Sequence, residues 1–292
     1  MCRLFGFKGK EPTKLSFFLV DAPNSLAKQS IMDSRNISNS QGWGVGFYQN
    51  RKAFIQKRAS SAYFDFNFKF LTDFVETDTM IAHIRDATVG DISDHNAHPF
   101  IYGNWIMAHN GTVEGFQLLR SQILKAIGTD FAFEIMGSTD SECVFYLFLS
   151  KLNKKVPDIH AENIDVIEVR NALIETIQLL NTLGANIDVE NSHKLNVLIT
   201  NGKMMIASRF GNSLFYTTKN KAIHNDVNLH KSDNEASLKI RFSSCYDNLC
   251  KLENESVIVA SEELNIDEQW GEVPEQCVIT IDNNLDISFA SV

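Results

Sequence analysis

The second residue carries the first chemical signal. The chain begins MCRLFGF, with Cys2 one residue from the start and ahead of an apolar run. Chain ends fray, so position 2 is a poor place for chemistry unless the terminus itself takes part. With Met1 removed, Cys2 carries a thiol and a free α-amine on one residue, so nucleophile and base arrive together. A free thiol titrates near ~8.5 and an α-amine at about 7.7–8.0, so proton transfer from sulfur to nitrogen is nearly balanced. The plain alternative is a small buried hydrophobe on a first strand. Further polar groups concentrate in AHIRDATVG (82–90), NAHPF (96–100), AHNGT (108–112) and STDSE (138–142). His83, His95, His98 and His109 fall in these segments, but their spacing fits neither HExxH nor another paired-ligand pattern, so no metal site is expected.

Such segments need rigid elements to hold them. Apolar or alternating runs at 2–7, 44–49, 52–57, 79–85, 104–109, 195–200, 204–208, 256–260 and 276–281 predict strands. Asn201-Gly202-Lys203 predicts a hairpin between two of them. Helical patterns cover 114–127, a segment opening at STDSECVFYLFL, and about 162–183. In the second, Thr139-x-x-Glu142 has capping-box spacing. In the third, Val166, Val169, Leu173, Ile177 and Leu180 share one face, and Gly184 is the expected stop. Strands, then helices, then strands predict an α+β fold, with helices packed outside antiparallel sheets. The polar stretch 219–250 reads as a long loop or insertion.

Composition narrows the class. The 292 residues are 44% hydrophobic, enough to bury a sizeable core. No repeat, low-complexity tract or Pro/Gly linker divides them, so a single domain over 2–292 is expected. A net charge of −9, from 27 basic and 36 acidic residues, argues against nucleic acid or an anionic membrane as the partner. No apolar run approaches the ~20 residues of a membrane span, and no basic-then-apolar leader opens the chain. A cytoplasmic protein is expected. The five cysteines are odd in number and form no CxxC, so neither a disulfide frame nor a structural zinc is implied.

The ordered set Cys2, AHIRDATVG, NAHPF, AHNGT and STDSE resembles the class II glutamine amidotransferases, whose N-terminal-nucleophile domain uses a processed cysteine. GWGVGFY (42–48), LNVLITNGKMMIASRFGNSLFY (195–216) and VIVASEEL (257–264) are similar to its stand-alone branch. That branch includes the amidotransferase-like proteins of ergothioneine synthesis and glutathione degradation. The resemblance implies an αββα sandwich of two antiparallel sheets flanked by helices. It also implies hydrolysis of a γ-glutamyl amide, either glutamine or a γ-glutamyl compound, through a Cys2 thioester and without a cofactor. The released ammonia either passes to a separate acceptor enzyme or amidohydrolase subunit, or hydrolysis is itself the function.

The same resemblance assigns roles. Glutamine is a zwitterion, so Arg85 is expected to grip its α-carboxylate and Asp140 its α-ammonium, with Thr88 near the carboxylate. Asn110, through its side-chain NH2, and Gly111, through its backbone N–H, are expected to form the oxyanion hole. The missing side chain at 111 would let substrate approach and tolerate positive φ, although Asn-Gly is also a common hairpin turn. His98 and His109 are implied hydrogen-bonding struts of the site's loops, and Trp43 a further support. His83 reads as packing and His95 as loop surface. Gln41 stands where the branch carries an acid before GWG, which alters a loop hydrogen bond or the charge beside it. The SEEL stretch departs at a loop position. Two rivals remain: an N-terminal-nucleophile acylase for another amide, which Arg85 and Asp140 speak against, and a glutamine-sensing or partner-binding subunit without turnover.

Overall fold

The computed structural model describes residues 2–187, 192–219, 255–264 and 269–292. Two sheets form, and every neighbouring pair of strands is antiparallel. Sheet I runs in the order β11 (Gly271–Glu272), β9 (Phe215–Lys219), β10 (Ser256–Ala260), β1 (Arg3–Lys14), β4 (Glu76–Arg85), β2 (Gly42–Gln49) and β3 (Lys52–Arg58). Sheet II runs in the order β13 (Ile287–Ser291), β12 (Cys277–Ile281), β8 (Met205–Arg209), β7 (Lys194–Thr200), β6 (Trp105–Thr112) and β5 (Phe100–Tyr102).

Strand alternation builds the layers. In β1, Phe5 and Phe7 face outward into a core shared with Phe18, Leu26 and Phe68. These come from a π-helical turn (Phe17–Asp21), α1 (Leu26–Ile31) and α2 (Phe66–Phe74). Leu4, which alternates with them along the strand, faces inward and meets Leu198 and Ala207 of sheet II. In β7, Val197 and Ile199 turn outward to α3 (Phe116–Ile127), α5 (Asp140–Asn153) and α6 (Val166–Ala185), with short α4 (Thr129–Ala132) beside them. The result is a helix–sheet–sheet–helix sandwich, the α+β architecture expected.

The layers approach closely at β2. A Cβ on Gly44 would lie 1.9 Å from the carbonyl oxygen of His98, so only glycine lets the 96–100 segment cross this strand. This is the physical content of the GWGVGFY motif.

The helix and turn assignments differ from expectation in instructive places. Gly184 does not stop α6; the helix continues to Ala185 and is capped by Asn186. Glycine is needed there because the His193 ring leaves no room: a Cβ at 184 would stand 2.4 Å from its Nε2. The Asn201-Gly202-Lys203 hairpin joins β7 to β8, with Gly202 at φ +87° and Asn201 Oδ1 accepting from the Lys203 and Met204 N–H groups. The expected 219–250 loop lies outside the described residues except for Lys219, which closes β9. No described helix is long and apolar enough to cross a membrane.

Candidate active site

β1 and β2 begin, and β4 and β6 finish, at one end of the sandwich. Cys2 immediately precedes β1 and is buried. Its Sγ donates to the Asp86 carbonyl at 3.4 Å and accepts from the Asp86 N–H at 3.3 Å. Burial pushes the thiol pKa up, while the Asp86 N–H and the Arg85 charge pull it down. Alternation along β1 sends Cys2 toward the space between the sheets and Arg3 to the opposite face.

Arg3 holds Cys2 from behind. Its Nη1 donates to the Cys2 carbonyl at 2.9 Å, and its Nη2 is paired with Asp33 and, at 2.6 Å, with Glu262. All three side chains are buried. Asp33 also accepts the backbone N–H groups of Arg35 and Ile37, and Glu262 accepts from the Ser34 hydroxyl and N–H and from the Asn24 amide. The SEEL stretch is therefore an anchor for residue 2, a role its loop position did not disclose. A covariant basic–acidic pair is the only sequence signal that could have shown it.

Arg85 ends β4 and is buried. Its two terminal nitrogens donate to the carbonyls of Asp91 and Val89, each at 2.9 Å. These bonds use two of five guanidinium donors and fix the loop that follows. Burial lowers its pKa, and the charges of Cys2, Asp91 and Asp140 oppose that shift, so these groups share one electrostatic environment. Gln41 Oε1 accepts the Ala87 N–H at 2.7 Å, so this neutral residue supplies a loop hydrogen bond without adding negative charge beside the thiol. Thr88 lies on the same loop, exposed, and its hydroxyl hydrogen-bonds that of Thr112 at 3.1 Å.

Asn110 and Gly111 lie inside β6, paired with Asn196 and Leu195 of β7, so the Asn-Gly pair is not a hairpin turn. Gly111 has no positive φ. Glycine is required because a Cβ would sit 1.8 Å from the Lys194 carbonyl oxygen across a close strand contact. Asn110 is buried, with Oδ1 unpartnered among the described residues. Its backbone carbonyl accepts from Asn212 Nδ2 at 3.0 Å, and Asn196 in turn holds the 210–213 turn. This gives SRFGNS a supporting role.

Asp140 opens α5, buried at the helix N-terminus, where the helix dipole favours a carboxylate. Its oxygens accept the Val113 N–H at 2.7 Å and the Ser141 N–H at 2.8 Å, tying α5 to the end of β6. The capping box forms only in half. Thr139 Oγ1 accepts the Glu142 N–H at 3.2 Å, but the Glu142 carboxylate turns to the N–H groups of Met136 and Gly137.

The histidines divide. His109 Nε2–H donates to the Lys194 carbonyl at 2.9 Å, which leaves Nδ1 of the neutral ring to accept from the Ser141 hydroxyl at 2.8 Å. Burial lowers its pKa against the pull of Asp140. His98 is no such strut: neither of its ring nitrogens, nor those of His83, has a hydrogen-bond partner among the described residues. The two rings instead pack 4.2 Å apart between the sheets, with Phe100 against His98. Burial pushes His83 down to about 3, aided by the charge of Arg85, and holds His98 well below its ordinary value. Trp43 faces away from the site, donating to Asp65 at 2.9 Å and packing on Phe68. It supports α2, and β2 only through it. His95 is exposed.

The 86–97 loop is stitched to the turn before α5. Asn96 Nδ2 donates to Asp91 Oδ1 at 2.6 Å, and Asn96 Oδ1 accepts the Ser138 N–H at 3.0 Å. Among the described residues no group of three or more His, Cys, Asp or Glu is arranged to hold a metal. A polar cleft of about 720 Å³ opens at the other end of the sandwich, lined by Lys8, Tyr48, Asp78 and Lys203, and no candidate residue borders it.

With this geometry in hand, the comparisons define the class. The model of the class-II glutamine amidotransferases matches residues 1–284, and the chain belongs to that enzyme family. Similar to it at 30% identity is a probable glutamine amidotransferase of Saccharomyces cerevisiae, DUG3, with 96% of this chain and 82% of that protein covered. A gamma-glutamyl-hercynylcysteine sulfoxide hydrolase of Mycobacterium tuberculosis is 25% identical, with 96% and 93% covered. A solved glutamine aminotransferase class-II domain protein from Silicibacter pomeroyi shares the fold at TM-score 0.63 and 20% identity, over 99% of both chains. The glutamine phosphoribosylpyrophosphate amidotransferase of B. subtilis does so at TM-score 0.58 and 15% identity, over 99% of this chain and 49% of that one. The sandwich is thus of the N-terminal-nucleophile type.

Proposed function

We propose that the protein hydrolyses a γ-glutamyl amide, glutamine or a γ-glutamyl compound, at Cys2. After Met1 is removed, Sγ attacks the side-chain carbonyl of the substrate and its proton passes to the Cys2 α-amine. The new S–C bond makes a tetrahedral oxyanion, received by the Asn110 side-chain NH2 and the Gly111 N–H. Breaking the C–N bond releases ammonia or an amine, which takes up the transferred proton. Water then cleaves the γ-glutamyl thioester to glutamate. Arg85 binds the α-carboxylate with its remaining donors, beside Thr88, and Asp140 binds the α-ammonium. Arg3, His109 and Asn212 hold these groups in place.

The observation that supports this reading best is one buried cation and one buried anion, Arg85 and Asp140, in the electrostatic surroundings of a buried thiol. An apolar acyl substrate would need neither charge. The curated hydrolase of M. tuberculosis extends the candidate substrates from glutamine to γ-glutamyl conjugates. Intact mass, followed by treatment with a diazo-ketone glutamine analogue, tests the proposal. Loss of Met1 and one adduct on Cys2 are expected. An adduct elsewhere, or a processed chain that binds glutamine without reacting, counts against it. Turnover of glutamine beside a panel of γ-glutamyl peptides then fixes the leaving group.

A further inference from the structure

The face of α2 turned away from sheet I is aromatic. Phe66, Phe70 and Phe74 recur every fourth residue and so form one stripe, with successive rings 6.0 Å and 4.3 Å apart. Phe64, Phe66, Phe70 and Phe74 are 78, 74, 51 and 68% exposed. The inward face of the helix is already filled, with Phe68 and Thr72 buried and Phe68 edge-on to Trp43. At about 150–250 Å² per aromatic side chain, the four expose roughly 400–700 Å². That lies at the upper end of the largest patch of an ordinary monomer, about 300–600 Å². With the polar side chains beside it, the face approaches the ~800 Å² that each partner contributes to a stable interface.

We propose that this face is the two-fold interface of a homodimer, in which α2 packs antiparallel on α2 of a second copy. The order of charges selects that occupant. Lys69 and Asp73 are four residues apart and lie together on one flank of the stripe. A two-fold axis passing between the two helices, level with Phe70, brings like flank to like flank in opposite directions. Phe66 then meets Phe74 and Phe70 its own equivalent, while Lys69 of each copy stands about 3 Å along the helix from Asp73 of the other, within reach of its long side chain. Lys69 and Asp73 cancel within the flank, and Asp21 and Lys28 do so beside it, so a strongly acidic or basic partner gains nothing from it. The stripe lies on the outer side of sheet I while Cys2 faces between the sheets, so pairing leaves the nucleophile accessible in both copies.

Sedimentation velocity of the full chain, from about 1 to about 100 µM, tests this. A reversible dimer is expected. Phe70→Glu, at an exposed position, weakens it by at least about tenfold, because each substitution enters a two-fold interface twice. Lys69→Asp and Asp73→Lys each weaken the dimer, and the double reversal restores it to within about threefold of the starting constant. Phe74→Ser provides a second probe should Phe70→Glu impair folding. A monomer throughout the range, a dimer indifferent to Phe70→Glu and Phe74→Ser, or no recovery in the double reversal overturns the proposal. So does a stripe covered only by a different protein.

Discussion

Two arginines divide the work of residue 2's neighbourhood. Arg85 splints its own loop and, in the proposed reaction, binds the substrate's α-carboxylate, whereas Arg3 grips the Cys2 carbonyl. The two are separable by measurement. Replacing Arg85 by Lys substitutes a point charge for a fork, so KM for glutamine should rise at least about tenfold. Alkylation of Cys2 by a small uncharged reagent should change little; an unchanged KM removes Arg85 from the site. Glu262→Gln acts on the other arginine. Removing one member of a buried pair commonly costs about 3–5 kcal/mol, but Arg3 keeps Asp33, so a loss of about 1–3 kcal/mol is expected. Thermal melts check that loss, and steady-state kinetics should show a fall in kcat with KM nearly constant.

Among the elements, α2 shows why a short sequence can hide its own structure. Phe64, Phe66, Phe68 and Phe70 alternate with period two, the signature of a strand, yet the segment is a helix. Asp65 decides it, accepting the Asn67 N–H at 2.9 Å, the Trp43 indole N–H at 2.9 Å and the Ser60 hydroxyl at 2.7 Å. Asp65→Ala should cost more than about 2 kcal/mol in urea denaturation, since a helix cap is lost and a buried indole donor is orphaned. A loss confined to a few tenths would mean that Trp43 finds another acceptor. The long strands of both sheets were legible because each has one run of apolar residues bounded by turn chemistry. The helix α1 was not, with six residues too few to show a period. The segments around Arg85, Asn110 and Asp140 were visible as motifs. Their supports were not, because Arg3 with Glu262 and Asn110 with Asn212 meet across long stretches of chain with no local signal to pair them.

Across the whole molecule, the two sheets enclose a pair of histidines with no charge partner on either ring. His83 and His98 are neutral when folded and titrate near about 6.5 when released. Their folded values are depressed, so the unfolded chain binds protons first as acid is added. The His83 contribution is complete above about 6.5 and is lost as pH falls toward about 3, at up to ~1.4 kcal/mol per pH unit, and His98 acts in the same direction. Melting temperatures between neutrality and mild acid should show that decline, and His83→Leu should make it shallower by one ring's share; an equally steep decline would place the acid sensitivity elsewhere. The grip on residues 2 to 4 has a consequence in time as well. Ser261 bonds both backbone groups of Leu4, and Glu262 closes on Arg3, so the clasp on the beginning of the polypeptide comes from residues made some 257 positions later. Ribosomal synthesis presents the leading segment first. Asp33, Ile84 and Asp86 reach residues 2 and 3 early. In the proposed maturation the trimming enzymes therefore meet a terminus that still lacks its last two holds, Ser261 and Glu262, for most of translation.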